Sequence, residues 1–259
     1  MKKIFKYLVN TSLSILGFQI IRKQEKQSKF PIDYPSYAPN IIDFVRPYTM
    51  CGNDGLMMAI EAARYIVTNR IQGDIVECGV WRGGCSMAMA LAIADLKSFD
   101  RNLWLYDTYD GMTPPTNEDV DKFNQPASLR LDREKKNIST YTEALNVWCV
   151  ANLDDVKNNI LSISYPNNKF KFIKGDVAKT LLEFAPEKIS ILRLDTDWYA
   201  STKIELEVLY PKLVSGGILI IDDYGDWQGA RKAVDEYFNN IKNPPLLVRV
   251  DGSRFAIKP

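Results

Sequence analysis

The sequence predicts an α/β fold: a doubly wound, mostly parallel β-sheet with a C-terminal antiparallel hairpin and an N-terminal helical appendage. Two patterns predict this fold. From residue 73 onward, short apolar runs alternate with longer segments of helical periodicity, which is typical of a parallel sheet with helices on both faces. Near the C-terminus, Asp251-Gly252 separates two short β-prone runs, and Asp-Gly in that position favours a hairpin turn.

The first 47 residues are predicted to form the appendage, and residues 48–259 the sheet domain. Residues 1–23 begin with lysines and continue with apolar residues at helical spacing. Polar residues interrupt this stretch and no small-residue cleavage site follows, so we expect an amphipathic helix rather than an export signal. Such a helix is suited to packing against a partner, to homo-oligomerisation or to peripheral contact with a membrane surface. Residues 24–47 carry four prolines, which predicts an extended linker or arm.

The elements of the sheet domain follow one another in a regular order. A helix with an apolar stripe starts near Asp54, before the pattern changes at Gly73. Five strands are then predicted, at Asp74–Cys78, Asn102–Tyr106, Phe170–Lys174, Ile189–Leu194 and Ile218–Ile221. The helices that follow these strands are predicted at Cys85–Leu96, at about Glu143–Leu161, and at Val177–Phe184, Tyr199–Leu213 and Gly229–Asn240. The hairpin is predicted to join Leu246–Val250 to Arg254–Ile257.

The composition is that of an ordinary globular protein, and it excludes several classes of function. A formal net charge of +1 gives no basic excess with which to bind nucleic acid. The chain has no histidine, which excludes Ser-His-Asp and Cys-His nucleophilic centres, zinc sites with histidine ligands and an imidazole general base. The four cysteines include no C-x-x-C pair, so we expect reduced thiols in a cytoplasmic protein. No segment is long and apolar enough to predict a transmembrane helix.

Acidic residues and glycines follow almost every predicted strand. In an open parallel sheet, ligands bind beyond the carboxyl ends of the strands, so these residues sample the candidate site. They are Glu77, Gly79, Asp107, Gly175, Asp176, Asp195, Asp197, Asp222 and Asp223.

The turn after the first strand has the pattern E-x-G-x-x-x-G-x-x-S, from Glu77 to Ser86. It is neither the G-x-G-x-x-G of dinucleotide-binding proteins nor a P-loop. An acid beside the turn repels pyrophosphate but suits a ligand with cationic centres, and S-adenosylmethionine carries an ammonium group and a sulfonium. Gly79 would allow close backbone approach, and Ser86 lies near the start of the next helix. The alternative is that the glycines only make a tight turn.

Two further acids complete the prediction of a nucleoside pocket. Asp107 follows the second strand, a position from which an acid holds ribose hydroxyls in doubly wound folds. Gly175 and Asp176 follow the third strand and are placed to contact the adenine amino group. Either acid could instead serve only as a helix N-cap.

Asp195, Asp222 and Asp223 are predicted to form a metal site. The first two end neighbouring strands, so their side chains should converge, with Asp223 one residue further out. Three carboxylates this close repel one another unless a cation holds them, and all-oxygen ligation favours Mg²⁺. The alternative is that they cap the helices that follow.

Four blocks of sequence, taken in order, resemble the macrocin O-methyltransferase (TylF-type) family. They are Gly73 to Ser86 (GDIVECGVWRGGCS), Leu192 to Thr202 (LRLDTDWYAST), Tyr210 to Gly217 (YPKLVSGG) and Ile221 to Val234 (IDDYGDWQGARKAV). The resemblance implies a class I methyltransferase fold. It also implies a sugar O-methyltransferase that uses S-adenosylmethionine and Mg²⁺ to methylate a hydroxyl of a sugar or glycoside, in a natural product or a surface polysaccharide.

The resemblance implies a cofactor site of Thr49, Met50, Glu77, Gly79, Val80, Gly83, Ser86, Asp107, Thr108, Gly175, Asp176 and Asp195. It implies metal ligands at Asp195, Asp222 and Asp223, with Asp195 as the general base because this chain lacks histidine. Whether Asp195 or a water at the ion takes the proton is left open. The stretch from Asp110 to Thr140 has the composition of an acceptor-binding lid.

The sequence leaves two other functions open. Asp195-Thr196-Asp197 could be the D-x-D motif of a metal-dependent glycosyltransferase, but the glycine turn and Asp222-Asp223 would then have no role. The chain could also be a non-catalytic cofactor-binding scaffold, although nothing in the carboxylate set favours this. Four aromatic residues could present faces to sugar rings, although large aromatics are more often core: Tyr109, Trp148, Trp198 and Trp227.

Overall fold

A computed structural model describes residues 30–135 and 149–259. The predicted N-terminal helix and residues 136–148 therefore lie outside the described residues. The chain divides into two compact units, Met1–Pro35 and Ser36–Pro259, and the second contains the sheet. Within the two described ranges, no helix is long and apolar enough to cross a membrane.

The described residues contain a seven-stranded sheet with the order β3-β2-β1-β4-β5-β7-β6. The strands are β1 (Asp74–Cys78), β2 (Leu103–Asp107), β3 (Phe170–Lys174), β4 (Ile189–Leu194), β5 (Leu213–Ile221), β6 (Val248–Val250) and β7 (Ser253–Ile257). The first five pair in parallel, and β7 is antiparallel to both β5 and β6. The predicted doubly wound sheet with a C-terminal antiparallel hairpin is confirmed.

Eight α-helices connect or flank these strands in the described part of the chain. They are α1 (Ala38–Val45), α2 (Asn53–Thr68), α3 (Gly84–Asp95), α4 (Ala127–Lys135), α5 (Leu153–Ile160), α6 (Val177–Glu183), α7 (Tyr199–Leu209) and α8 (Gln228–Asn239). Helices α2, α3, α6, α7 and α8 lie within a few residues of their predicted positions.

The segment that was predicted as an extended arm contains a helix instead. Residues 38–45 form α1, and Pro39 occupies its first turn. A proline is tolerated there because the first backbone N–H groups of a helix have no intrahelical partner. Ile42 and Val45 are buried on its inner side. The four prolines therefore mark a helix start as well as turns, and the prediction of an extended arm was wrong for this part.

Two predicted helix boundaries were also wrong. The helix placed at about Glu143–Leu161 begins at Leu153, where the Asn152 side chain caps it by accepting a hydrogen bond from the Asp155 backbone N–H at 2.9 Å. The helix placed at Tyr199–Leu213 ends at Leu209, because a 3₁₀ turn containing Pro211 intervenes and β5 has already begun at Leu213.

The switch point of the sheet lies between β1 and β4, which are both almost entirely buried. Cys78 is opposite Leu194 in the parallel register, and Leu194 is opposite Ile221. The Asp195 N–H donates to the Cys78 carbonyl and the Asp222 N–H to the Leu194 carbonyl, both at 2.9 Å. The first residues after β1, β4 and β5 therefore emerge side by side at one edge of the sheet.

Candidate active site

A cavity of about 500 Å³ opens at the carboxyl ends of the central strands. Its wall contains all the predicted cofactor and metal residues except Gly83 and Ser86. In a doubly wound sheet, this edge is the expected place for a ligand. The residues that the sequence predicts for the site come from six separate segments and meet at one cavity.

Gly79 lets the turn after β1 pack against the chain that follows β4. Its φ angle is +82°, and a Cβ added at this position would overlap the carbonyl oxygen of Asp195. Only glycine combines this left-handed conformation with such a close approach. The predicted role of Gly79 in close backbone approach agrees with this geometry.

Asp107 shapes the same turn from the end of β2. Its Oδ2 accepts hydrogen bonds from the backbone N–H groups of Val80 (2.7 Å) and Trp81 (3.0 Å), and its Oδ1 accepts one from Tyr109 (2.7 Å). Burial raises the pKa of this carboxyl, while the three backbone donors lower it. Asp107 and Thr108 both lie on the cavity wall, so this acid shapes the turn and is also in place to face a ligand.

Gly83 and Ser86 lie behind the turn and do not reach the cavity. Ser86 is fully buried and its hydroxyl donates a hydrogen bond to Glu77. Gly83 has a φ of +91°, and a Cβ there would lie 2.6 Å from the side chain of Ile160. In this structure the glycine packs against α5, and the serine holds the Glu77 carboxylate, so their place in the cofactor site stays a prediction.

The residues predicted at the adenine and the predicted cofactor residues before α2 also reach the cavity. Gly175 and Asp176 lie on the wall, and Asp176 also caps α6 by accepting a hydrogen bond from the Ala178 N–H at 2.9 Å. Thr49 and Met50 lie on the wall as well. A Cβ on Gly84 would lie 2.6 Å from the Tyr48 carbonyl oxygen, so a glycine at the start of α3 brings this segment close.

The three predicted metal ligands converge. One carboxylate oxygen from each of Asp195, Asp222 and Asp223 lies within 4.8 Å of the others. Burial, followed by the charges of the neighbouring carboxylates, raises the pKa of Asp223 well above its ordinary value. Burial and the same repulsion raise the pKa of Asp195, although Arg193 opposes this. A set of clustered oxygen donors of this kind fits a hard divalent cation.

Arg193, which the sequence analysis did not select, lies among these carboxylates. Its Nη1 contacts Glu77 Oε1 at 2.8 Å and Asp195 Oδ2 at 2.7 Å, and its Nη2 contacts Asp222 Oδ1 at 2.9 Å. These contacts argue against the alternative in which Asp195 and Asp222 only cap helices, because both bind a guanidinium instead. The signal for Arg193 was a single basic residue inside the apolar run of β4.

Asp197 also lies on the cavity wall, outside the predicted set of metal ligands. Its backbone is left-handed, with φ +64°, and its N–H donates to Asp223 Oδ2 at 3.0 Å. Burial, together with the charges of Asp195 and Asp222, raises the pKa of its carboxyl to about 6. The site therefore holds a carboxylate with a pKa near neutrality beside the three predicted ligands.

The loop between β2 and α4 contributes residues to the cavity wall and is attached to the start of α7. Asp119, which is fully buried, accepts hydrogen bonds from the backbone N–H groups of Tyr199 (2.7 Å) and Thr116 (2.6 Å). The Trp198 indole N–H donates to the Thr113 carbonyl at 2.8 Å. This loop belongs to the region predicted as an acceptor lid, of which residues 136–140 lie outside the described residues.

Of the aromatic residues considered for sugar stacking, Trp227 lies on the cavity wall. It packs edge-on against Trp198, with 4.9 Å between ring centroids, and Trp198 and Tyr109 are buried away from the wall. Trp148 lies outside the described residues. Phe123, which was not selected, is on the wall and remains 71% exposed.

The cysteines of the described residues form no disulfide, and Cys78 and Cys85 are buried. Burial raises the pKa of the Cys78 thiol well above its ordinary value, so it behaves as a small apolar side chain.

Comparison with known sequences identifies related enzymes. The profile of the macrocin-O-methyltransferase (TylF) family matches residues 21–256. The chain is 31% identical over 222 residues to mycinamicin III 3''-O-methyltransferase of Micromonospora griseorubida, which covers 85% of this chain and 78% of the relative. It is 30% identical over 221 residues to the 8-demethyl-8-(2,3-dimethoxy-alpha-L-rhamnosyl)-tetracenomycin-C 4'-O-methyltransferase of Streptomyces olivaceus, covering 85% and 76%.

Comparison with solved structures gives the same result. The structure superimposes on the O-methyltransferase NovP with a TM-score of 0.70 at 25% identity, covering 82% of each chain. The calicheamicin methyltransferase CalS11, at a TM-score of 0.52 and 15% identity over 85% of this chain and 90% of that one, shares the fold. With a family match over nearly its whole length, the chain belongs to the macrocin O-methyltransferase (TylF) family and is a methyltransferase of the class I fold.

Proposed function

We propose that this protein transfers a methyl group from S-adenosylmethionine to a hydroxyl of a sugar or glycoside, and that Mg²⁺ assists the transfer. The observation that carries the proposal is the convergence of Asp195, Asp222 and Asp223 beside the glycine turn at the switch point. The class I methyltransferase fold implies S-adenosylmethionine as the donor. Both relatives named above are O-methyltransferases, and one is named for a rhamnosyl compound, which supports a glycosidic acceptor.

The charge of the cavity suits a cationic cofactor and a metal ion. Ten acidic side chains line it, but only three basic ones do so among the described residues: Lys122, Arg130 and Arg193. One of the three, Arg193, is already shared by three carboxylates. An acidic cavity of this kind attracts the sulfonium and ammonium groups of the donor and a divalent cation.

The carboxylates of the predicted metal site would hold Mg²⁺ through the oxygens that Arg193 leaves free. Asp195 uses Oδ2 and Asp222 uses Oδ1 for the guanidinium, which leaves one oxygen on each for the ion. Bound Mg²⁺ would supply Lewis-acid chemistry that lowers the pKa of the acceptor hydroxyl and orients it. The wall residues would bring the acceptor oxygen in line with the methyl carbon, so that the new O–C bond forms as the C–S bond breaks.

Two carboxylates are in place to receive the proton of the acceptor hydroxyl. The sequence predicts Asp195 as the base, but this residue both pairs with Arg193 and belongs to the ligand set. Asp197 lies on the wall outside the ligand set, two residues beyond Asp195, so its carboxylate is not committed to the ion. We therefore propose Asp197 as the base and Asp195 as a ligand.

The acceptor would lie between the donor and the loop that precedes α4. The loop presents Met112, Thr113 and Phe123, and Trp227 before α8 joins them on the wall, so that apolar faces combine with a hydroxyl. Apolar faces of this kind pack well against the C–H face of a sugar ring.

The proposal is tested by calorimetry and a transfer assay with the full chain. S-adenosylhomocysteine should bind, and methyl groups from labelled S-adenosylmethionine should appear on neutral glycosides when Mg²⁺ is present. EDTA should abolish the transfer and added Mg²⁺ should restore it. Full activity in EDTA would overturn the metal part of the proposal. Binding of a nucleoside diphosphate sugar without binding of S-adenosylhomocysteine would overturn the whole and favour glycosyl transfer.

A further inference from the structure

We infer that Arg193 is a positioning residue, which holds Asp195 and Asp222 by one carboxylate oxygen each and so presents the other oxygen of each to the divalent cation. The inference rests on the proposed metal site. Arg193 itself would touch neither the ion nor the substrate. It would act through the ligands, as outer-shell partners commonly do in metal sites.

The placement of Arg193 follows from the register of the sheet. Glu77 on β1 is directly opposite Arg193 on β4, so the two side chains lie on the same face of neighbouring strands. Asp195 is two residues further along the chain and therefore starts from the same face of β4. Asp222 follows β5, the strand on the other side of β4. One guanidinium thus links three neighbouring strands at the edge where the cavity opens.

The guanidinium is fixed on more than one side. Its side chain is only 3% exposed, and Glu77, which is 1% exposed, binds Nη1 at 2.8 Å. The Ser86 hydroxyl holds the Glu77 carboxylate in turn. The ligand Asp195 shares Nη1 with Glu77, and Asp222 binds Nη2. A planar group that is anchored in this way fixes the rotation of both ligand carboxylates.

A lysine in this position could not serve the same purpose. An ammonium group is a compact point charge, whereas the guanidinium presents several N–H groups in a rigid plane. Lysine would keep the charge that the buried carboxylates require, but it would lose the fixed geometry that reaches both ligands. Arg193→Lys therefore tests whether the planar shape of the side chain is needed when its positive charge is kept.

Arg101 offers a matched control at the other end of the same strands. It is also buried, and its Nη1 donates to the Gly73 carbonyl (2.6 Å) and lies 3.2 Å from Ser190 Oγ. These partners lie at the amino ends of β1 and β4, away from the cavity. Arg101→Lys should disturb a buried guanidinium without affecting the ligands.

The test measures Mn²⁺ binding, by calorimetry or electron paramagnetic resonance, with the full chain and without cofactor. We expect Arg193→Lys to weaken Mn²⁺ binding by tenfold or more. The Arg101→Lys variant should stay within twofold of the wild type. Circular dichroism would establish that both variants are folded.

A second variant keeps the test valid if Arg193→Lys does not fold. Glu77→Gln combined with Arg193→Gln removes one negative and one positive charge, so the net charge of the cluster is unchanged. A purely electrostatic role predicts unchanged Mn²⁺ affinity, whereas loss of positioning predicts a clear decrease, again by about tenfold. Wild-type affinity in any folded Arg193 variant would overturn the inference. Absence of Mn²⁺ binding by the wild type would instead overturn the proposed metal site on which it rests.

Discussion

The backbone of Gly79 lies directly against the carbonyl oxygen of Asp195, with no room for a side chain between them. This contact joins the turn after β1 to the residue that follows β4, across the switch point of the sheet. The predicted cofactor turn and the predicted metal site are therefore neighbouring parts of one cavity. A substitution in the turn should therefore affect both cofactor binding and metal binding.

Gly79→Ala should abolish binding of S-adenosylhomocysteine and lower the free energy of unfolding by at least about 2 kcal/mol, because it combines a left-handed backbone with a steric overlap. Calorimetry and chemical denaturation measure the two effects. Gly52→Ala is the control, because a Cβ there would lie 3.8 Å from Asp251 Oδ2, an ordinary contact. Equal behaviour of the two variants would show that the close approach at Gly79 is unimportant.

Asp222→Asn should weaken Mg²⁺ and Mn²⁺ binding by tenfold or more, since it removes one of three clustered carboxylates and one partner of Arg193. Binding of S-adenosylhomocysteine should change by less than threefold. Asp176→Asn is the control, because that residue lies on the cavity wall beside α6, outside the ligand set. Unchanged metal affinity in Asp222→Asn would remove this residue from the site.

Asp197→Asn should lower kcat by about 10² or more while leaving cofactor and Mn²⁺ affinities within threefold of the wild type, as expected for loss of a general base. Asp195→Asn should instead lower metal affinity, because it changes a ligand. Single-turnover kinetics and calorimetry separate the two outcomes. If Asp195→Asn retained metal binding and lost only kcat, then Asp195 would be the base, as the sequence analysis predicts.

Glu205→Gln should stabilise the protein at neutral pH. Glu205 is completely buried and accepts a hydrogen bond from the Thr196 hydroxyl at 2.9 Å, and burial raises its pKa well above 4.5. A carboxyl whose pKa is higher in the folded state gives full stability below its unfolded pKa, and this stability is lost as the pH rises through the folded pKa.

The wild type should therefore lose stability relative to Glu205→Gln as the pH rises from about 4.5, and the difference should reach at least about 1 kcal/mol. Urea denaturation at pH 5 and at pH 8 measures this. Glu207→Gln, on the exposed side of the same helix, is the control for replacing a glutamate in α7. Parallel curves for all three proteins would mean that Glu205 titrates normally.

Phe123→Ala should raise KM for the acceptor by about tenfold, corresponding to the loss of a ring face worth about 1 kcal/mol or more, with KM for S-adenosylmethionine unchanged. Phe123 is 71% exposed on the cavity wall. Phe44→Ala is the control, because Phe44 is 50% exposed on α1 and is not part of the wall. An increase in KM for the donor instead would place Phe123 at the cofactor.

The sequence predicted the strands and their ends well, because a buried parallel strand is a short apolar run and the next residue leaves the sheet at its carboxyl edge. Asp195 and Asp222 are correctly brought together for that reason. Arg193 was missed because its partner Glu77 is 116 residues away, and only the strand register shows that they are opposite.

The direction in which a side chain points was harder to predict than the element on which its residue lies. Ser86 has the expected place near the start of α3, yet its hydroxyl lies behind Glu77, and no local pattern shows which side of a buried helix faces a cavity. The prolines of residues 24–47 predict an extended chain, although Pro39 in the first turn of a helix is equally compatible with the sequence.

The tip of the loop before α4 combines two attached residues with one exposed side chain. Lys122 and Asn124 bind Asp226 and Gln228 through their side chains, so the tip is held against the start of α8. The Phe123 side chain between them is exposed and bears little of the packing. Substitutions of Phe123 alone should therefore carry a small folding cost, and exchange of this one residue is a practical route to new acceptor preferences.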